Sequence, residues 1–173
     1  MTIGLISDTH GLIPDDVLEH LNDCAEVWHG GDLGDIGVID QVKQLGVPLR
    51  AICGNIDGKD IRSEIPLNLE FERDGLKVFM THIGGYPGRY TKRVREILTE
   101  LKPDIYVCGH SHICKVIRDK SLGTLHMNPG ACGHIGFHSI RTMLKFEILD
   151  GKLENLRAVE LGMRGVTNKD WKG

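Results

Sequence analysis

The stretch Thr2-Ile3-Gly4-Leu5-Ile6-Ser7-Asp8-Thr9-His10 decides how this chain reads. Ile3–Ile6 has the length of a buried strand. It leads at once into Asp8-Thr9-His10, whose carboxylate and imidazole are two residues apart and share one face of an extended chain. The same order, apolar run and then a short polar motif, recurs four times. Glu26–Trp28 precedes Gly31-Asp32, Leu49–Cys53 precedes Gly54-Asn55, and Leu76–Met80 precedes Thr81-His82. Ile105–Cys108 precedes Gly109-His110-Ser111-His112.

The segments between these runs set the fold class. Val17, Leu18 and Leu21 have helical spacing, with Pro14 ahead of them and Asp15 and Asp16 where a first turn favours acid. Ile36, Ile39, Val42 and Leu45 form a second amphipathic pattern, stopped by Gly46. The first third is thus β-α-β-α-β, which implies parallel strands joined by crossover helices. Leu67, Leu69 and Phe71 then alternate with polar residues, and Asp74-Gly75 marks a hairpin into Leu76–Met80. A helix carrying Val94, Ile97, Leu98 and Leu101 ends before Pro103. Cys114–Ile117 and Thr124–Met127 read as strands, and Asp150-Gly151 joins Met143–Leu149 to Leu153–Val159. The polar segment from Gly162 to Gly173 is expected on the surface. No repeat or linker interrupts the 173 residues, so residues 1–173 are expected to form one α/β domain. Its expected architecture is two mixed β-sheets packed as a sandwich flanked by helices.

Composition narrows the function. A formal net charge of −3 gives no broad basic surface for a polynucleotide backbone. A small phosphate ester held by local charge is the better expectation. No apolar run approaches the ~18 residues that span a bilayer, and the first strand begins too early for a signal peptide. The five cysteines, Cys24, Cys53, Cys108, Cys114 and Cys132, contain no C-x-x-C pair and are read as reduced. The expected setting is cytoplasmic, without membrane attachment.

Open α/β sheets present ligands at the carboxyl ends of their strands. Asp8, Asp32, Asn55, His82 and His110 all occupy such ends, so residues far apart in sequence can meet. Carboxylate, imidazole and amide form an oxygen–nitrogen donor set without sulfur, suited to Mn²⁺, Fe, Zn²⁺, Ni²⁺ or Co²⁺ rather than Ca²⁺. Taken singly, each motif has an ordinary reading. Asp32 can cap a helix, Asn55 can serve a turn, and one Gly-His-Ser-His proves little. The five together point to a metal centre.

In sequence order these motifs, D-x-H, G-D, G-N, an isolated His and G-H-x-H, resemble the calcineurin-like metallophosphoesterases, in particular the small bacterial and archaeal phosphodiesterases. The resemblance spans positions 8 to 112 and continues into Asn128-Pro129-Gly130. It implies a four-layer fold and two divalent ions, Mn²⁺ first among them. Asp8, His10 and His112 would hold one ion, and Asn55, His82 and His110 the other. Asp32 would bridge both, and a bridging hydroxide would be the nucleophile. Asp32, Asn55 and His82 would act in catalysis by positioning metal and phosphate.

Larger family members carry a histidine after Gly-Asn as a proton donor; here Ile56 stands there, as in the small subgroup. Esters with good leaving groups are therefore expected, such as aryl phosphodiesters. His134 and His138 are candidates to substitute as the acid, and His29 and Asp57 to support the ligands or substrate. His20 is read as exposed and His126 as structural. Lys92, Arg93 and Arg95 are read as a solvated helix face that can assist anionic substrates if the loop Gly84 to Tyr90 lines the pocket. Two other functions stay open: a phosphomonoesterase, and a protein-interaction scaffold like the small retromer subunit, whose relatives tend to lose the ligands retained here. Relatives of this size also imply self-association into a homo-oligomer.

Overall fold

The computed structural model describes residues 1–165. In chain order the elements are β1 (Thr2–Ile6), α1 (Asp15–Leu21), β2 (Glu26–His29), α2 (Gly37–Gln44), β3 (Leu49–Ala51) and α3 (Lys59–Glu64). The hairpin β4 (Asn68–Arg73) and β5 (Leu76–Thr81) follows, then α4 (Lys92–Leu101) and β6 (Ile105–Val107). Two further hairpins complete the described residues, β7 (Cys114–Asp119) with β8 (Thr124–Pro129), and β9 (Ile140–Leu149) with β10 (Lys152–Met163).

The strands form two mixed five-stranded sheets, ordered β10-β9-β1-β2-β3 and β4-β5-β6-β8-β7. The crossover pairs β1–β2, β2–β3, β5–β6 and β6–β8 are parallel, and the hairpin pairs are antiparallel.

Period-two alternation along the strands builds the layers. Ile3, Leu5, Trp28, Leu144, Phe146 and Ile148 of the first sheet meet Val78, Met80, Ile105, Val107 and Met127 of the second. Trp28 packs edge-on against Phe146 and Phe71 at ring distances of 5.4 and 5.1 Å. The opposite faces take the helices. Ile6, Val27 and Met143 pack with Val17 and Leu21 of α1 and with Val38, Ile39 and Val42 of α2. Phe79 and Tyr106 pack with Val94 and Leu98 of α4. Gly4 is required here, because a Cβ would run into Leu21 and Cys24 of the helical layer. The buried Glu26 carboxylate ties the sheets together by accepting from Arg50 (2.7 Å) and Arg73 (2.9 Å).

Several boundaries differ from expectation for local reasons. The helix α3 carries only one buried residue, Ile61, so it has no apolar periodicity to read. Ile52 and Cys53 are buried beyond the end of β3: Ile52 N–H still donates to His29 O (3.2 Å), whereas the Cys53 N–H turns to the Pro66 carbonyl. Register shifts in β10 let it continue to Met163, so Gly162 and Met163 belong to a strand. The rest of the expected surface tail, from 166 onward, lies outside the described residues. All five cysteines are free. Among the described residues no helix is long and apolar enough to cross a membrane.

His126 is buried beside Tyr106 and Cys108, with its Nε2 3.3 Å from the Cys108 sulfur. Burial, aided by Lys115, lowers its pKa to about 4. The unfolded chain would protonate this group near its ordinary value of about 6.5. Below that pH the unfolded state binds more protons, so His126 contributes stability that is complete above about 6.5 and lost as pH falls towards 4. The linkage for one such group is at most about 1.4 kcal/mol per pH unit. His126→Phe should flatten the fall in Tm across this window, measured by thermal unfolding at a series of pH values. An unchanged slope would assign the acid lability to other groups.

Candidate metal centre

The carboxyl ends of β1, β2, β3, β5 and β6 open onto one side of the molecule, and backbone bonds lock their loops together. Asp8 N–H donates to Gly31 O (3.0 Å), His10 N–H to Asp32 O (3.2 Å), and Gly109 N–H to His82 O (3.1 Å). The turns are tight enough that Asp8, His10, Asp32, His110 and His112 all hold left-handed φ values between 51° and 67°. Such conformations cost on the order of 1–3 kcal/mol each and persist where surrounding contacts enforce them. Gly54 is needed for the same crowding, because a Cβ there would collide with the Asp32 carboxylate.

Two donor clusters result: Asp8, His10 and His112, and Asp32, His82 and His110. Within each, one ligand atom from every residue lies within 4.8 Å of the others. In the first, His112 Nε2 is 3.2 Å from Asp8 Oδ1 and 3.4 Å from His10 Nε2. In the second, His82 Nε2 is 3.3 Å from Asp32 Oδ2, and it also comes within 3.9 Å of Asp8 Oδ1. The clusters are therefore neighbours, linked across His82.

The buried atoms Asp8 Oδ1 and His82 Nε2 have no hydrogen-bond partner. An unsatisfied buried polar group costs about 1–3 kcal/mol. A cation between the donors would satisfy both atoms and would separate the facing nitrogens of His10 and His112. These residues fit divalent metal.

The surrounding bonds fix the tautomers. His82 Nδ1–H donates to Gly30 O (2.7 Å), which leaves Nε2 as a lone pair facing the carboxylates. His138 Nε2–H donates to Gly133 O (3.1 Å), so its Nδ1 can only accept from His112 Nδ1–H (3.1 Å). This relay likewise turns the His112 Nε2 lone pair towards Asp8 and His10. Phe137, itself exposed, stacks on the His112 ring at 4.8 Å and 7°. Burial works to raise the Asp32 pKa, but the adjacent His82 imidazole and the Ile56 N–H hold it below the ordinary carboxylate value. Burial opposes a charged His82, yet the Asp32 and Asp8 carboxylates raise its pKa overall. Protons therefore compete with metal at this position.

The remaining candidates take distinct places. Asn55 is exposed and sits between Gly54 and Ile56, whose N–H donates to Asp32 Oδ1 (3.1 Å). Asp57 clamps the two loops that carry the candidates Asp32 and Asn55, accepting from Gly34 N–H (2.8 Å) and Gly54 N–H (2.6 Å). His29 is fully buried, and desolvation lowers its pKa to about 4 despite nearby carboxylates. Its Nδ1 accepts from Gly31 N–H (3.1 Å), and its Nε2 meets Thr9 Oγ1 (3.0 Å), bracing the turn that presents Asp32. His134 is exposed and accepts from Gly165 N–H (3.3 Å) on the loop's outer side.

Two supporting roles escaped the sequence reading. Ser7 Oγ donates to Asp8 Oδ2 (2.6 Å), and Asn128 Nδ2 donates to Gly109 O (2.8 Å) and Ser111 Oγ (3.1 Å). The only hint of Ser7 was a polar residue closing an apolar strand.

Residues 1–151 match the family model described as the calcineurin-like phosphoesterase superfamily domain. The chain belongs to this superfamily. A probable metallophosphoesterase of Methanothermobacter thermautotrophicus is 30% identical over 138 residues, 76% of this chain and 77% of that one. Among solved structures, an archaeal phosphodiesterase superposes with a TM-score of 0.71 at 26% identity, covering 93% of this chain and 100% of the other. Vps29 of Chaetomium thermophilum reaches a TM-score of 0.74 at 15% identity, covering 95% and 99%. At that identity the likeness speaks for the fold alone. This phosphoesterase chain thus has the two-sheet architecture of its structural relatives.

Proposed function

We propose that this chain is a metal-dependent phosphodiesterase acting on small organic phosphate esters in the cytoplasm as a single domain. Asp8, His10 and His112 would hold one divalent ion, and Asn55, His82 and His110 a second, with Asp32 shared. Mn²⁺ is the expected metal, and the donor set also suits Ni²⁺, Zn²⁺, Fe or Co²⁺. The observation that carries the reading is the pair of orphaned buried donors, Asp8 Oδ1 and His82 Nε2, facing each other across the junction of the two clusters. When bound, such ions supply an acidified water as nucleophile and offset the charge of the phosphate. The likeness to an archaeal phosphodiesterase supports the choice of a diester.

The chain's own residues hold this arrangement. Asp57 keeps the Asp32 and Asn55 loops in register, and His138 orients His112. Both ring nitrogens of His138 are committed, so it is not available as a proton donor. Ile56 cannot supply a proton either. Without general-acid help, worth typically ~10²–10⁴-fold, the rate should depend steeply on leaving-group pKa.

The test starts from metal-free protein and adds Mn²⁺, Ni²⁺ or Zn²⁺ with bis(4-nitrophenyl) phosphate or 4-nitrophenyl phosphate. Hydrolysis of the diester above the monoester is expected, with rates that fall as leaving-group pKa rises. No hydrolysis with any metal would favour a protein-interaction scaffold. Rates insensitive to leaving-group pKa would overturn the missing-acid argument.

The relay has its own check. His138→Ala leaves the His112 ring without its acceptor, and loss of such a partner lowers metal affinity by about 10–100-fold. Calorimetric titration with Mn²⁺ reads this directly. Unchanged affinity would remove His138 from the support of the centre.

A further inference from the structure

A pocket of about 430 Å³ opens beside His82 and Asn55, with Leu67, Ile83, Arg62 and Arg93 also in its wall. Its volume lies within the range of small-ligand sites. The two guanidinium groups are held in place by neutral acceptors. Arg62 donates from Nε to Asp57 O (2.7 Å) and from Nη2 to Gly54 O (2.6 Å). Arg93 donates from Nη1 to Asn68 Oδ1 (3.2 Å) and from Nη2 to Thr81 Oγ1 (3.0 Å).

Neither arginine forms an ion pair with an acid among the described residues, whereas Arg50 and Arg73 share Glu26 and Arg141 has Asp16. Surface arginines elsewhere also lack acids, but these two are anchored to loops that carry candidate ligands. Arg62 is fixed to the Gly54–Asp57 turn around Asn55, and Arg93 to Thr81, the residue before His82. Each guanidinium has five N–H donors and spends two here. Two oriented positive charges with donors to spare therefore stand on one side of the centre. Leu67 and Ile83, both large apolar residues left exposed, complete the wall.

We propose that this pocket binds a second anionic group of the substrate. The preferred ester is then a phosphodiester whose compact, partly apolar substituent carries a further phosphate or carboxylate. This inference rests on the phosphodiesterase reading above and specifies its substrate class. Arg62 and Arg93 are specificity-determining residues that act on the part of the substrate away from the bond that breaks.

Three esters with the same 4-nitrophenolate leaving group test it in Mn²⁺-loaded protein. They are phenyl, 4-carboxyphenyl and 4-phosphonophenyl 4-nitrophenyl phosphate. Hydrogen bonds to a charged group imply a KM about 10–100-fold lower for a charged ester than for the phenyl ester. The carboxylate and phosphonate arms distinguish the two kinds of anion. Arg62→Gln and Arg93→Gln should each bring the KM ratio towards one. Equal KM values for all three esters in the wild-type protein would overturn the inference while leaving the phosphodiesterase reading intact.

Calorimetric titration of metal-free protein with the carboxyphenyl and phenyl esters gives a readout independent of turnover. If no metal confers activity but the carboxyphenyl ester still binds more tightly, and Arg93→Gln removes the difference, the pocket stands and the phosphodiesterase reading falls. Equal binding of both esters would overturn the pocket.

Discussion

Asp32→Asn is expected to reduce diester turnover by at least about 10²–10³-fold, the loss typical of removing a single charge-stabilising group from an active site. Bound metal per chain should fall with it. Asparagine is the informative replacement because Asp32 holds φ 57°, a region that Asn tolerates and Ala does not. The amide oxygen can still accept from the Ile56 N–H, now 3.1 Å from Asp32 Oδ1. What it lacks is the charge that faces His82 at 3.3 Å. The variant therefore separates electrostatics from shape. An unaltered far-UV circular dichroism spectrum with lost metal, read by elemental analysis, is the expected pair of results. Full metal content and full turnover would take Asp32 out of the centre altogether.

Much of the candidate site could be read from sequence because metal donors are chemically distinctive and strand ends are easy to locate. His112 joins the Asp8–His10 pair from 102 residues away, and Asp32, His82 and His110 come from three separate strand ends yet converge in space. The supporting contacts were less legible for a physical reason. A serine or asparagine that orients a loop has no distinctive pattern, since its partner is set by tertiary packing. Ser7 and Asn128 are such residues. Asp57 drew notice only by standing beside Gly54-Asn55, and its clamp on Gly34 N–H depends on where the neighbouring turn lands.

The fold follows a similar division. Crossover spacing marked the parallel run of the first third but not the second one through β5, β6 and β8, and Asp74-Gly75 and Asp150-Gly151 marked two hairpins, each with Asp and Gly at positive φ. Features that depend on distant charge pairing were invisible. Glu26 looked like the polar start of a strand and is instead buried between arginines from both sheets. Asp16 looked like a first-turn acid on α1, favourable there whatever its surroundings. In the structure it is buried against Arg141, which is 125 residues away.

That pair should dominate stability. Arg141 is fully buried and donates to both Asp16 carboxylate oxygens and to the carbonyls of Cys132 (3.2 Å) and Leu161 (2.6 Å). Asp16→Ala leaves a guanidinium without its counter-charge in the interior, a change that costs about 3–5 kcal/mol. For a chain of this size it should lower Tm by roughly 6–20 °C. Arg141→Met removes the charge but strands Asp16 and two carbonyls, so it should cost a comparable amount. Combining Asp16→Ala with Arg141→Met should cost less than the sum of the singles, because neither partner is then left charged and alone, with a coupling of about 0.5–3 kcal/mol. Recovery will be incomplete, since the Cys132 and Leu161 carbonyls still lack their donor. The effect also reaches the metal centre. Cys132 N–H donates to Ser7 O (3.1 Å) and Gly133 O accepts the hydrogen bond from His138 Nε2–H, so Arg141 anchors the loop that orients His112. Metal affinity in Asp16→Ala should consequently fall even at temperatures where the variant is folded. A melting temperature within about 2 °C of wild type, well inside the smallest shift this mechanism allows, would mean that the pair is screened by solvent and anchors nothing.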